Sequence, residues 1–209
     1  FRNNLCMFAQ TQNELHNMKH MSILAVSLLA LVACTPEKKQ EADYSQYVNP
    51  MIGTDFTGNT YPGAQVPFGM VQLSPDNGLP GWDRISGYFY PDTTIAGFSH
   101  THLSGTGAGD LYDISFMPVT RPYKEAPAPL GIYSTFSHND EAASAGYYRV
   151  LLKDYNINVE LTATERCGIQ RYTFPEAEAS VFLNLKKAMN WDFTLDSKIE
   201  VVDSTTIRG

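Results

Sequence analysis

The chain has 209 residues, of which 43% are hydrophobic and 18% are charged, and its formal net charge is −7 at pH 7. This acidic balance argues against nucleic-acid binding, because contacts to phosphates depend on lysine and arginine. The length is sufficient for one domain with a hydrophobic core.

The N-terminal residues have the pattern of an export signal. The sequence begins with Phe1 instead of Met, and we interpret residues 1–17 as a non-native extension upstream of the true start. Residues 18–33 begin with a short polar segment and continue as an apolar run. That run is shorter than the roughly 20 residues of a membrane-spanning helix, so it indicates a signal peptide.

A cysteine follows this signal directly. Leu-Val-Ala-Cys at 31–34 is similar to a bacterial lipobox, in which the cysteine is lipidated and becomes the mature N-terminus. We therefore predict that Cys34 carries a lipid and that residues 34–46 form a polar tether to the fold. Contact with a membrane would then occur only through this lipid anchor. The alternative is a buried helix with an incidental cysteine.

The segment from Tyr47 to Pro118 is rich in residues that interrupt regular elements. It holds 11 of the 15 glycines, 7 of the 12 prolines and six aspartates, with Arg84 as its only cation. Such a composition predicts short strands joined by shaped loops. Its aromatic rings, placed beside Asp, His, Ser and Asn, suit a neutral polyol, because rings stack on C–H surfaces and polar groups hold hydroxyls. The alternative is a loop-rich β-domain whose aromatic residues form the core.

Two motifs in this segment leave several roles open. Trp82 and Asp83 follow a Pro-Gly turn, where a tryptophan serves either as a core plug or as a ligand platform. His100-Thr101-His102 would place two imidazoles on one face of an extended segment. This pair suits a substrate contact, a metal site with Asp110 or Asp113 as third ligand, or ordinary packing. The glycines at 105–109 lack the lysine of a phosphate-binding loop.

Alternating apolar residues predict strands in the second half of the chain. Ile157, Val159 and Leu161 lie on one face of the clearest strand, 157–164. The other predicted strands are 66–73, 94–98, 111–117, 147–152, 169–174, 180–185 and 198–203. Their regular spacing predicts an all-β, antiparallel β-sandwich. Residues 204–209 indicate a hairpin return, so we expect the sandwich domain, 47–209, to be incomplete at its C-terminus.

Several sequence blocks in this domain resemble one family. The blocks are Tyr47–Thr54, Thr60–Ala64, Val66–Asp76, Gly81–Asp83, Ser86–Tyr88, Gly97–Gly105, Glu160–Thr164 and Arg171–Pro175. In this order they are similar to the opening of glycoside hydrolase family 92. The resemblance implies a calcium-dependent, inverting exo-α-mannosidase, often specific for α-1,2 linkages, that trims mannose from glycans including N-glycans. It also implies an exported protein of a Gram-negative bacterium, located in the periplasm, in the outer membrane or on the cell surface.

The resemblance further implies how the site is divided between domains. Family members pair an N-terminal β-sandwich with a larger (α/α)6 barrel, which carries the catalytic acids and most calcium contacts. No catalytic residue and no complete metal site is therefore expected in this chain. Trp82 would line the pocket for the terminal mannose, with His100 and His102 nearby and Asp83 and Tyr88 as further substrate contacts.

Two departures from the family pattern affect the expected pocket rim. Members often carry a His where this chain has Asn59, and an aromatic residue where it has Arg84. Linkage preference depends on such rim residues. The alternative function is that of a non-catalytic, carbohydrate-binding lipoprotein.

Overall fold

The computed structural model describes residues 42–105, 111–185 and 193–209. Tyr44–Gly209 forms one compact unit. The predicted signal peptide, the lipidation site at Cys34 and most of the tether lie outside the described residues. Within the described residues, no helix is long and apolar enough to pass through a membrane.

The described residues form short strands and three short 3-10 helices, with no α-helix among them. The strands are β1 (Ala64–Gln65), β2 (Gln72–Asp76), β3 (Thr94–Ile95), β4 (Gly97–Ser99), β5 (Ser115–Thr120), β6 (Glu125–Ala126), β7 (Gly131–Ile132), β8 (Ser134–Thr135), β9 (Glu141–Ser144), β10 (Tyr147–Leu152), β11 (Ile157–Ala163), β12 (Gly168–Thr173), β13 (Ala179–Asn184), β14 (Glu200–Val201) and β15 (Ile207–Arg208). The 3-10 helices are Ser45–Tyr47, Trp82–Arg84 and His138–Asp140.

Two antiparallel sheets build the sandwich. One has the strand order β1-β2-β4-β5-β13, and the other has the order β12-β11-β10-β9. Strands β1 and β2 of the first sheet contact β11 of the second, and one core cluster draws buried residues from both sheets. The predicted all-β, antiparallel sandwich is confirmed.

Strand β11 shows why the chain folds in this way. Ile157, Val159, Leu161 and Ala163 are buried, and the residues between them lie on the more exposed face. Burial of one large aliphatic side chain contributes roughly 1.5–3 kcal/mol. A shift of one residue would turn this apolar face into solvent, so the alternation fixes the register with β10 and β12.

Some predicted strand limits are wrong. The predicted strand 66–73 contains a turn, in which Gly69 N–H donates to the Val66 carbonyl at 3.0 Å and Phe68 has a φ of 61°. Residues 111–114 form a loop in which three side-chain-bearing residues have positive φ, so β5 begins only at Ser115. Positive φ in residues with side chains is uncommon, and alternating polarity cannot reveal it.

Candidate functional site

Trp82 lies on the loop between β2 and β3, in the one-turn 3-10 helix Trp82–Arg84. The turn closes where the Arg84 N–H donates to the Gly81 carbonyl at 3.0 Å. The tryptophan is 54% exposed, and Asp83 beside it is partly exposed. An exposed ring of this size is a surface available to a ligand, which favours the platform role over that of a core plug.

Buried Asn77 supports this loop from beneath. Its side-chain amide donates to the Thr94 carbonyl at 2.7 Å, and its side-chain oxygen accepts from the Phe89 N–H at 2.5 Å. Its backbone N–H donates to the Gly87 carbonyl at 2.8 Å. One residue therefore joins the start, middle and end of the loop that carries the exposed Trp82.

His102 lies in the interior, beneath the loop of Trp82. One ring nitrogen, Nε2, lies 2.8 Å from Asp76 Oδ1, and the other, Nδ1, lies 2.6 Å from the Gln72 carbonyl oxygen. Tyr112 packs edge-on against the ring, and only 2% of the residue is exposed. His102 therefore offers almost no surface to a ligand in this conformation, and its contacts give it a supporting role.

His100 has a different environment. Its Nδ1 lies 2.8 Å from the Ile114 carbonyl oxygen, and its ring meets Phe116 edge-on with centroids 5.6 Å apart. It also covers Gly168 on β12, where an added Cβ would approach its ring to 2.8 Å. The two histidines therefore contact separate partners. Asp113, a candidate third ligand of a metal site with these histidines, accepts a hydrogen bond from the Thr101 hydroxyl at 3.3 Å.

No group of three His, Cys, Asp or Glu residues in the described parts of the chain could hold a metal ion. Asp110, the other candidate ligand, lies outside those parts.

The environment of His100 leads to a pH prediction. Burial lowers its pKa below the ordinary value of 6.5, although the bond to Ile114 opposes this shift. The unfolded chain therefore binds more protons near pH 6, so this contribution to stability is complete above the unfolded pKa and is lost as the pH falls from there through the lower pKa of the folded chain. We expect the melting temperature to fall more between about pH 8 and about pH 5 in the native chain than in His100→Asn. Parallel pH profiles of the two proteins would contradict this assignment.

Tyr88 is fully buried and contacts Glu141, a carboxylate that no sequence motif indicated. Its hydroxyl donates to both oxygens of Glu141 at 3.0 Å, and the Tyr148 hydroxyl donates to Oε1 at 2.5 Å. His138 Nδ1 lies 2.6 Å from Oε2. We call Tyr88, His138, Glu141 and Tyr148 the Glu141 network. A buried side chain presents no surface to a sugar, so Tyr88 also has a packing role in this conformation.

A pocket of about 560 Å³ borders the Glu141 network. Asn49, Asp55, Tyr90 and His138 are among its lining residues, and the Tyr90 and His138 rings are stacked 3.9 Å apart.

Asn59, one of the departures from the family pattern, is buried, and its carbonyl accepts from the Gly105 N–H at 2.7 Å. It therefore supports the neighbouring loop instead of forming an open rim.

Comparison with known proteins agrees with this architecture. A family GH92 α-mannosidase from Bacteroides thetaiotaomicron, solved in complex with mannoimidazole, is 44% identical with a TM-score of 0.65, over 69% of this chain and 20% of that chain. A family GH92 inverting mannosidase from Bacteroides thetaiotaomicron VPI-5482 is 32% identical with a TM-score of 0.56, over 68% and 20% of the two chains.

A curated relative also matches. An uncharacterized secreted glycosidase of Arthroderma benhamiae is 26% identical over 172 residues, which are 78% of this chain and 21% of that protein. Its description agrees with the predicted export. The chain thus spans about a fifth of the length of these relatives.

The family signature covers most of the chain. The glycosyl hydrolase family 92 N-terminal domain matches residues 47–209. With the antiparallel sandwich and the solved relatives, this match shows that the chain belongs to glycosyl hydrolase family 92 and carries its N-terminal domain.

Proposed function

We propose that this chain is the N-terminal part of an exo-acting, inverting, calcium-dependent α-mannosidase that removes mannose from glycans, with α-1,2 linkages as the preferred substrate. Family membership and the α-mannosidases among its solved relatives support the reaction class. The observation that carries the role of this domain is the exposed Trp82 on a loop pinned by Asn77. An exposed, fixed aromatic ring is the surface on which a sugar ring stacks.

In this proposal the active site lies between the sandwich and a C-terminal (α/α)6 barrel. Trp82 contacts the apolar face of the sugar, and Asp83 accepts hydrogen bonds from its hydroxyls. His100 lies near the substrate, whereas His102 and Tyr88 act from the interior as supports. The barrel supplies the acid that protonates the leaving oxygen and the carboxylate that activates water, about 6.5–9.5 Å apart. It also supplies the calcium ligands.

Anchoring is the other part of the proposal. Export through the signal at 18–33 and lipidation of Cys34 would hold the enzyme in the periplasm, in the outer membrane or on the cell surface of a Gram-negative bacterium. The description of a relative as secreted supports export.

Mannose release from α-1,2-mannobiose tests the activity. We expect release by the complete reading frame, loss of this release in EDTA, and no release by residues 35–209 alone. Trp82→Ala in the complete protein should lower kcat/KM about 10- to 100-fold, because an aromatic residue that becomes buried under its ligand contributes about 2 kcal/mol or more to binding.

Tyr44→Ala serves as the matched control, because Tyr44 is also an exposed aromatic residue but lies outside the loop. Mannobiose that stays intact with every protein would contradict the enzyme and favour the carbohydrate-binding lipoprotein. An unchanged kcat/KM in Trp82→Ala would remove Trp82 from the substrate site.

A further inference from the structure

We infer that Arg84 and Asp92 are positioning residues that hold Trp82 in place for its ligand. The inference rests on the proposed function for the identity of that ligand. Arg84 is the only cation between Tyr47 and Pro118.

The two side chains form a two-point ion pair. Arg84 Nε donates to Asp92 Oδ2 at 2.6 Å, and Nη2 donates to Oδ1 at 2.5 Å. Parallel bonds of this kind fix orientation as well as distance. The guanidinium carbon also lies 4.7 Å from the centre of the Phe89 ring, where the cation is attracted to the ring face.

Burial makes this pair different from an ordinary surface ion pair. The Arg84 side chain is 22% exposed and the Asp92 side chain is 9% exposed. Water screens such a pair less than an exposed one. Phe89 and the carboxylate confine the guanidinium from two directions, so the arginine has little freedom to change rotamer.

The pair connects the tryptophan turn to the far end of the loop. Arg84 lies in the same helical turn as Trp82, and its carbonyl accepts from the Gly87 N–H at 2.9 Å. Asp92 is fixed by its N–H, which donates to the Phe89 carbonyl at 2.9 Å, and it lies two residues before β3. Arg84 therefore ties the turn of Trp82 to the entry of a sheet strand, and a ring held in this way loses less freedom on binding.

Tryptophan fluorescence tests this directly in the 209-residue chain. The chain has two tryptophans, so Trp191→Phe leaves Trp82 as the single emitter. In this background we expect Arg84→Gln and Asp92→Asn to lower the anisotropy of Trp82 and to increase its quenching by acrylamide. Arg84→Lys keeps the positive charge but cannot form the two parallel hydrogen bonds, so it should retain only part of the native anisotropy of Trp82.

Arg121→Gln is the matched control, because Arg121 pairs with Glu178 at 3.3 Å on an exposed surface. We expect it to leave Trp82 unchanged. Circular dichroism identifies variants that are folded. Folded Arg84→Gln and Asp92→Asn proteins with native anisotropy and quenching would overturn the inference, and so would complete rescue by Arg84→Lys.

Kinetics of the complete reading frame supply a second test that does not depend on folding of the shorter chain. Arg84→Gln is expected to raise KM about tenfold and to leave kcat within about twofold, because the Arg84–Asp92 ion pair orders Trp82 before binding and so lowers the entropic cost of binding. An unchanged KM would overturn the role in substrate binding. If the variants lower the anisotropy of Trp82 but neither the native protein nor any variant releases mannose, the proposed function fails. The positioning role of the Arg84–Asp92 ion pair is then still supported.

Discussion

Glu141→Ala is expected to destabilise the sandwich by about 3–5 kcal/mol, because it removes the acceptor at the centre of a buried polar network. The Glu141 side chain is 1% exposed, and it accepts hydrogen bonds from Tyr88, Tyr148 and His138. Burial is the first cause that raises the pKa of both tyrosine hydroxyls, which therefore remain protonated donors. Without the carboxylate, the two tyrosine hydroxyls would be left in the interior without their acceptor, and the partly exposed His138 ring would lose its partner.

Such a loss is a large part of the 5–15 kcal/mol that stabilises a typical domain, so the variant should be mostly unfolded at moderate urea concentrations. Tyr88→Phe removes one bond and should cost about 1 kcal/mol. Tyr147→Phe is the surface control, because its hydroxyl donates to Glu160 outside the core. Urea unfolding followed by circular dichroism measures all three, and equal midpoints for Glu141→Ala and Tyr147→Phe would contradict a central role for Glu141.

The fold could be predicted because its strands have a simple pattern. Burial alternates along Ile157–Ala163, and this period of two survives in the structure residue by residue. The glycines and prolines of 47–118 likewise indicated the short strands and shaped loops that the described residues show. The predicted strand at 180–185 also exists, as Ala179–Asn184, but it pairs with β5 in the opposite sheet. Neighbouring strands in sequence do not reveal such a crossover.

The roles of the motif residues were harder to predict. Tyr88 reaches Glu141, which lies 53 residues further along the chain, and His102 reaches Asp76, which lies 26 residues before it. A sequence motif containing a histidine or a tyrosine does not show whether that side chain faces a ligand or a buried carboxylate. Trp82 differs, because a ring that is half exposed on a pinned loop can meet a ligand without any rearrangement. Position in the folded chain therefore separates the proposed contact, Trp82, from the buried residues beneath its loop.

Asp76→Ala is expected to cost about 3–5 kcal/mol, because it would leave the buried His102 ring without its carboxylate partner. Asp76 Oδ1 lies 2.8 Å from His102 Nε2 and accepts from the Ser99 hydroxyl at 3.1 Å. Both ring nitrogens of His102 contact oxygens, since Nδ1 lies 2.6 Å from the Gln72 carbonyl oxygen. Gly87 packs directly on this pair, since a Cβ there would lie 2.8 Å from Asp76 Oδ1. The carboxylate thus supports the loop of Trp82 as well as the core.

A double-mutant cycle separates this pair from general packing. Asp76→Asn and His102→Gln each leave one buried partner unmatched, whereas the double variant removes both partners. We therefore expect the double variant to be less destabilised than the sum of the single variants, by about 0.5–3 kcal/mol. Denaturant midpoints with unchanged slopes provide the measurement. Strict additivity would show that the two residues contribute independently, and the loop of Trp82 would then depend on Asn77 and Arg84 rather than on the Asp76–His102 contact.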